Sequence, residues 1–175
     1  AAERVAPLSE VVTEQSIVNA LVALLATGGS TNHALHMIAI SAAAGITLTL
    51  ADLDRLSGAV PLLARVYPNG TADINHFQAA GGMAYLAREL RGAGLLHESV
   101  CNILGEGLDA HDCAPEAGEE GGVVWHTPVT ASTDMSVLTA ASQAFAPEGG
   151  LRRLSGNLGE CVIKVSAVAE DNWYV

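Results

Sequence analysis

Cations are scarce in this sequence. Seven arginines and a single lysine, Lys164, stand against 19 acids, for a net charge of −11. A field of that sign attracts neither a nucleic-acid backbone nor an anionic membrane surface, so binding to either is disfavoured as a function. Cysteine is sparse too: Cys101, Cys113 and Cys161 lie far apart with no C-x-x-C spacing. That pattern argues against a disulfide framework and against a self-contained zinc or cluster site. No apolar run is long enough to span a bilayer, the longest lying around residues 17–26. Residues 1–15 lack the basic, apolar and small-residue order of a signal peptide. The expectation is a soluble, cytoplasmic chain with no nucleic-acid or membrane partner.

What is abundant is apolar. Half of the residues are hydrophobic and only 15% are charged, enough to bury a core in one domain, or in one domain and part of another. Up to residue 105 the patterning is helical. Thr13 can cap a helix whose apolar positions Ile17, Val18, Leu21, Val22, Leu24 and Leu25 follow 3.6-residue spacing, ended by Gly28 and Gly29. A second helix restarts at Ser30 or Thr31, carries Leu35, Ile38 and Ala39 inward, and stops at Gly45. Thr49 and Asp52 stand in capping-box relation before another helix, which Pro61 prevents from continuing. VPLLARVYPNG predicts an extended run into a turn at residues 68–70, after which Asp73 can cap INHFQAA. Beyond Gly81 and Gly82, MAYLARELRGAG reads as an amphipathic helix ended by glycines.

The character changes near residue 105. GEGLDAHDCAPEAGEEGG is acidic and glycine-rich, the composition of a solvated linker or surface loop. VVWHTPV then reads as a strand, and GNLGECVIKVSAV as a central strand after a glycine turn. The ending at Trp173, Tyr174 and Val175, with no terminal helix or cap, suggests a cut through a larger protein.

Two polar breaks are candidate sites. GGSTN serves as a helix-to-helix corner, and its glycine-lined helix start also presents free N–H groups and the positive end of a helix dipole to an anion. Asn75 and His76 open a helix just after PNGTAD, and could share a cleft with GGSTN and with the AGG break at residues 80–82. His33 and His36 are three apart on one face, but as a metal pair they need a third ligand that the spacing does not supply.

Three blocks, ATGGSTNHALHMIAI, VPLLARVYPNGTADINHFQAAGGMAYLARELRGAGLLHE and PEGGLRRLSGNLGECVIKVSAV, closely resemble consecutive blocks of the dehydratase family that includes the dihydroxy-acid and 6-phosphogluconate enzymes. PNGTADINHF and the histidine of GGSTNH resemble the phosphogluconate branch. The resemblance implies an α/β architecture: residues 1–105 form the helix-rich end of an N-terminal α/β domain, 106–122 a linker or loop, and 123–175 the start of a β-rich, swivelling barrel-like C-terminal domain. It implies a hydro-lyase that takes the C2 proton and the C3 hydroxyl from 6-phosphogluconate, giving the 2-keto-3-deoxy acid of the Entner-Doudoroff pathway. A dihydroxy-acid or non-phosphorylated sugar-acid substrate, or a purely structural or dimerisation role for this segment, are the alternatives. An iron-sulfur cluster, with 4Fe-4S the expected type and 2Fe-2S the alternative, acts in the family as Lewis acid, with Mg2+ helping to hold substrate in members where it is seen. Both belong to motifs outside this sequence, and the fragment alone is expected to be inactive and to bind no cluster. The full-length enzyme is implied to be a homodimer acting on a small sugar-acid phosphate. Within this chain the implied substrate contacts are Ser30, Thr31, Asn32 and His76, with no catalytic or metal-binding residue. Glu160 stands where many relatives are expected to carry a basic residue.

Overall fold

Helix α2 (Glu14–Thr27) organises the chain, because it is apolar around most of its circumference: Ile17, Leu21, Val22, Leu24, Leu25 and Ala26 are all buried. The computed structural model describes residues 6–119 and 121–172; Trp173, Tyr174 and Val175, whose ending the sequence made conspicuous, lie outside the described residues. The helical half comprises a short α1 (Leu8–Val11), which the sequence reading did not foresee, then α2, α3 (Thr31–Ala43), α4 (Leu50–Ser57), α5 (Ile74–Ala79) and α6 (Gly82–Gly92).

Local chemistry explains the helix starts. Thr13, Thr49 and Asp73 each cap a helix, and each exchanges hydrogen bonds with the residue three positions on, Ser16, Asp52 and His76 respectively. These reciprocal pairs satisfy two otherwise orphaned N–H groups at each start. The stretch between α4 and α5 is extended, as its sequence predicts, and runs through the core. Leu63 N–H donates to Ala26 O at 2.7 Å, Thr139 N–H donates back to Leu63 O at 2.9 Å, and Val60, Leu63 and Ala64 are fully buried. Phe77, Leu86, Leu90, Leu138 and Leu151 complete the cluster around α2.

One helix faces otherwise than its sequence suggested. In α3 the buried positions are Ala34, Met37 and Ser41, whereas Leu35 is 62% exposed, Ala39 is exposed and Ile38 half-buried. The helix is apolar on every side, so spacing alone does not select the face that packs.

Beyond α6, three separate two-stranded antiparallel ladders replace helices: β1 (Cys101–Asn102) with β2 (Gly105–Glu106), β3 (Cys113–Ala117) with β4 (Val123–Pro128), and β5 (Arg152–Gly156) with β6 (Gly159–Ile163). The chain is thus a mixed α/β fragment. Two expectations about strands are corrected. The acidic glycine-rich run is not a bare loop, since it contributes β2, a helical turn at Asp109–Asp112 and β3, with Gly118, Gly121 and Gly122 in the β3–β4 turn, where Gly118 N–H donates to Gly122 O. A ladder exposed on both faces needs no apolar alternation, so composition concealed it. And β6 is no central strand: it pairs with β5 alone, in register Arg152↔Ile163 through Gly156↔Gly159. Among the described residues no barrel closes.

Candidate functional site

The corner between α2 and α3 opens onto a cleft of about 560 Å³. Gly28 ends α2 in the left-handed region, φ +55°, a conformation that needs no Cβ penalty only for glycine. Its N–H reaches Leu25 O at 3.2 Å and the next N–H, of Gly29, reaches Leu24 O at 3.0 Å, so the last carbonyls of α2 are satisfied while the chain reverses. Ser30 is then the cap of α3, its hydroxyl oxygen accepting from Asn32 N–H at 3.2 Å. Thr31 is the first residue of the helix proper.

Distant residues fix this corner. Asn69, in the turn that the sequence predicts at residues 68–70, donates through Nδ2 to the carbonyls of Thr27 and Gly28, both at 3.0 Å. The Ser166 hydroxyl donates to Asn69 Oδ1 at 2.9 Å, and Ser166 N–H to Gly150 O at 3.3 Å. Gly150 backs onto the corner so closely that a Cβ there would lie 2.5 Å from the Gly28 Cα. Three stretches far apart in sequence are thereby stapled together, and the stretch carrying Ser166 brings Lys164 to the cleft.

The cleft is lined by Gly28, Gly29, Ser30 and Thr31 on the corner, Tyr67 and Pro68 on the turn, Ile74 and Phe77 of α5, Met83 of α6, and Lys164. Of the four residues singled out from sequence, the structure brings Ser30 and Thr31 to it. Asn32 and His76 are exposed and are not among the lining residues. His76 is engaged at the start of α5, its Nδ1 2.8 Å from Asp73 Oδ1, and the N–H and ring of His76 hold the Asp73 carboxyl below its ordinary range. The expected sharing of one cleft is not seen: Asn75, His76 and the AGG break at residues 80–82 are not among the lining residues, and Ile74 and Phe77 are what α5 brings to the GGSTN corner.

Lys164 is the lining residue that sequence reasoning missed. Its being the one lysine of a strongly acidic chain was the available signal. Most other cations have partners: Arg55 pairs with Asp52, Arg91 with Glu98, Asp109 and Asp112, Arg152 with Asp54 and Glu148, Arg153 with Glu160, while Arg88 is exposed on α6 and does not line the cleft. Arg65 lies over the Phe145 ring, 4.4 Å from its centroid. Lys164 has no carboxylate partner among the described residues, and burial against the cleft pushes its ammonium below the usual lysine range. Glu160, engaged with Arg153 on the exposed hairpin, takes no part in the cleft.

The residues present do not make a metal centre. Cys101 and Cys113 are half-buried in different ladders, Cys161 is exposed, and all three are free. His33, held below the ordinary imidazole range by burial and by neighbouring His36, gains no third ligand. Among the described residues no three His, Cys, Asp or Glu side chains group to hold an ion. A hydroxyl-bearing, half-apolar cleft with one unneutralised cation suits a small anion with a carbon chain, and not an ion of positive charge.

A family model described as dihydroxy-acid/6-phosphogluconate dehydratase N-terminal matches residues 1–111. The chain is 54% identical over 169 residues to the phosphogluconate dehydratase of Pseudomonas aeruginosa, a match covering 97% of this chain and 28% of that protein. It is 49% identical over 166 residues to the phosphogluconate dehydratase of Escherichia coli K12, covering 95% of this chain and 27% of that protein. The dihydroxy-acid dehydratase of Nitrosospira multiformis is more distant, 33% identical over 151 residues, covering 84% of this chain and 27% of that protein. The chain spans a little over a quarter of the length of these curated relatives.

Proposed function

Because this chain belongs to the dihydroxy-acid/6-phosphogluconate dehydratase family, we propose that it is part of a hydro-lyase that dehydrates 6-phosphogluconate to 2-keto-3-deoxy-6-phosphogluconate. The observation that supports this substrate over its alternatives is the contrast in identity, 54% to a phosphogluconate dehydratase against 33% to a dihydroxy-acid dehydratase. In the reaction, the C2 proton and the C3 hydroxyl leave as water and the resulting enol tautomerises to the keto acid, so no other reactant is consumed.

The part of this chain in that reaction is binding. Ser30 and Thr31 bring hydroxyls and the start of a 13-residue helix to the cleft, where donors and the helix dipole favour an anionic group. Ile74, Phe77 and Met83 give one side of the cleft an apolar wall, along which a substrate's carbon chain can lie. Asn32 and His76 hold the edge of this surface: Asn32 N–H completes the cap on Ser30, and His76 secures the α5 turn that presents Ile74 and Phe77.

Among the described residues no group of His, Cys, Asp or Glu could hold a metal ion, and the cofactors that the family resemblance implies are assigned to other parts of the full-length enzyme. No helix among the described residues is long and apolar enough to cross a membrane; a cytoplasmic location and a homodimeric full-length enzyme are part of the proposal and rest on the family resemblance. The deciding experiment compares turnover of 6-phosphogluconate, gluconate and 2,3-dihydroxyisovalerate by the full-length protein. A clear preference for 6-phosphogluconate is expected, and preference for either of the others refutes the substrate assignment.

A further inference from the structure

Lys164 is unusual on three independent counts. It is the sole lysine of a chain with net charge −11. It is half-buried at a cleft of about 560 Å³. And it has no carboxylate partner among the described residues although acids outnumber cations 19 to 8. Partly desolvating an ammonium without a counter-ion is unfavourable, and an anion arriving in the cleft would offset that cost. The staple from Ser166 to Asn69 and the Gly28 carbonyl holds the backbone two residues away, so the lysine reaches the cleft from a fixed base.

We infer that Lys164 is the anion anchor of this cleft: its ammonium, together with the Ser30 and Thr31 hydroxyls, takes one oxyanion end, phosphate or carboxylate, of a small substrate. The carbon chain of that substrate lies along Ile74, Phe77 and Met83. This rests on the reading of the cleft as a substrate site and adds the residue that neutralises the substrate's charge. It also accounts for the survival of one lysine where every resolved ion pair in the chain uses arginine or histidine. A bidentate guanidinium suits a fixed carboxylate partner, while a compact ammonium on a flexible stem follows a ligand that comes and goes.

The test uses the full-length enzyme as wild type, Lys164→Met and Lys164→Arg, with steady-state kinetics on 6-phosphogluconate and gluconate and calorimetric titration of 6-phosphogluconate and inorganic phosphate. Lys164→Met keeps the apolar stem, and a melting curve shows that it folds. The expected result is a rise in KM for 6-phosphogluconate of roughly 10- to 100-fold, as for loss of a charged hydrogen bond, with kcat changed much less and Lys164→Arg restoring most of the affinity. If the anchored group is the phosphate, gluconate kinetics do not change and inorganic phosphate binding is lost. If it is the carboxylate, both sugar acids weaken alike and inorganic phosphate binding is retained. Equal binding of 6-phosphogluconate by wild type and Lys164→Met overturns the inference while leaving the dehydratase reading intact. A lowered melting temperature with unchanged KM also overturns it, marking a structural ion pair instead. Conversely, loss of 6-phosphogluconate binding in Lys164→Met by an enzyme that does not turn that compound over upholds the anchor and refutes the dehydration reading.

Discussion

Gly28→Ala is the most informative single perturbation of the corner, because two separate effects act there and a second substitution separates them. The first is local. A non-glycine residue held at φ +55° carries a penalty of about 1 kcal/mol or slightly more. The second is the crowding of Asn69: a Cβ on residue 28 would fall on Asn69 Nδ2, well inside contact distance, and 2.8 Å from Ser166 Oγ. Moving the amide aside breaks its hydrogen bonds to the Thr27 and Gly28 carbonyls, worth about 1 kcal/mol each. The single change should therefore destabilise by roughly 3 kcal/mol.

Asn69→Ala loses the same two hydrogen bonds and the one from the Ser166 hydroxyl to Asn69 Oδ1, without the strain, at about 3 kcal/mol. In the double variant the amide is already gone and the Ser166 hydroxyl, freed from Asn69, can turn from the new Cβ, so only the backbone penalty is added and the total stays near 4 kcal/mol, about 2 kcal/mol below the sum of the singles. Urea denaturation of the full-length protein carrying each single and the double substitution measures this coupling. Additivity within about 0.5 kcal/mol would sink the reasoning, since the amide would then not be what the new Cβ meets.

Two further outcomes follow from the caps. Ser30, not Thr31, caps α3, so Ser30→Ala should cost about 1 kcal/mol of stability, whereas Thr31→Ala should change stability by less than about 0.5 kcal/mol and still raise KM or lower turnover of the full-length enzyme. Unchanged kinetics in Thr31→Ala would reduce GGSTN to a chain reversal. At α5, hydrogen bonds from His76 hold the Asp73 carboxyl below its ordinary value of 3.8. Since the folded pKa is the lower one, the stabilisation is present above that ordinary value and is lost as pH falls through the folded value. Amide-exchange protection factors at Asn75 and His76, corrected for the intrinsic pH dependence of exchange, should fall across that acid window in the wild type and approach those of Asp73→Ala, which lacks the cap at every pH; a wild type protected equally at both ends of the window would contradict it.

The corner was legible in the sequence because everything that makes it is local. Two glycines, a serine and the apolar spacing of α2 determine where one helix ends and the next begins, and the reciprocal caps at Thr13, Thr49 and Asp73 are equally short-range. The face of α3 was not legible, since Leu35, Ile38 and Ile40 offer as much apolar surface as Ala34 and Met37, and only α2 packing against it decides. The β3–β4 ladder was hidden by acidic, glycine-rich composition in a hairpin with little to bury. The candidate site divides along the same line. Ser30 and Thr31 announce themselves by position next to the glycines, and His76 was drawn in by its neighbourhood in sequence although its side chain serves Asp73. Lys164 reaches the cleft only because a hydrogen bond joins Ser166 to Asn69, 97 residues away. Sequence shows that a single lysine exists; only the long-range staple brings it, without a carboxylate partner among the described residues, to a cleft with two hydroxyls and an apolar wall. The corner's two roles are therefore one. The geometry that turns the chain, a left-handed glycine clamped by Asn69, is the same geometry that seats the lysine, so weakening the clamp should loosen the anion site and the fold together, whereas Thr31→Ala and Lys164→Met should affect the site alone.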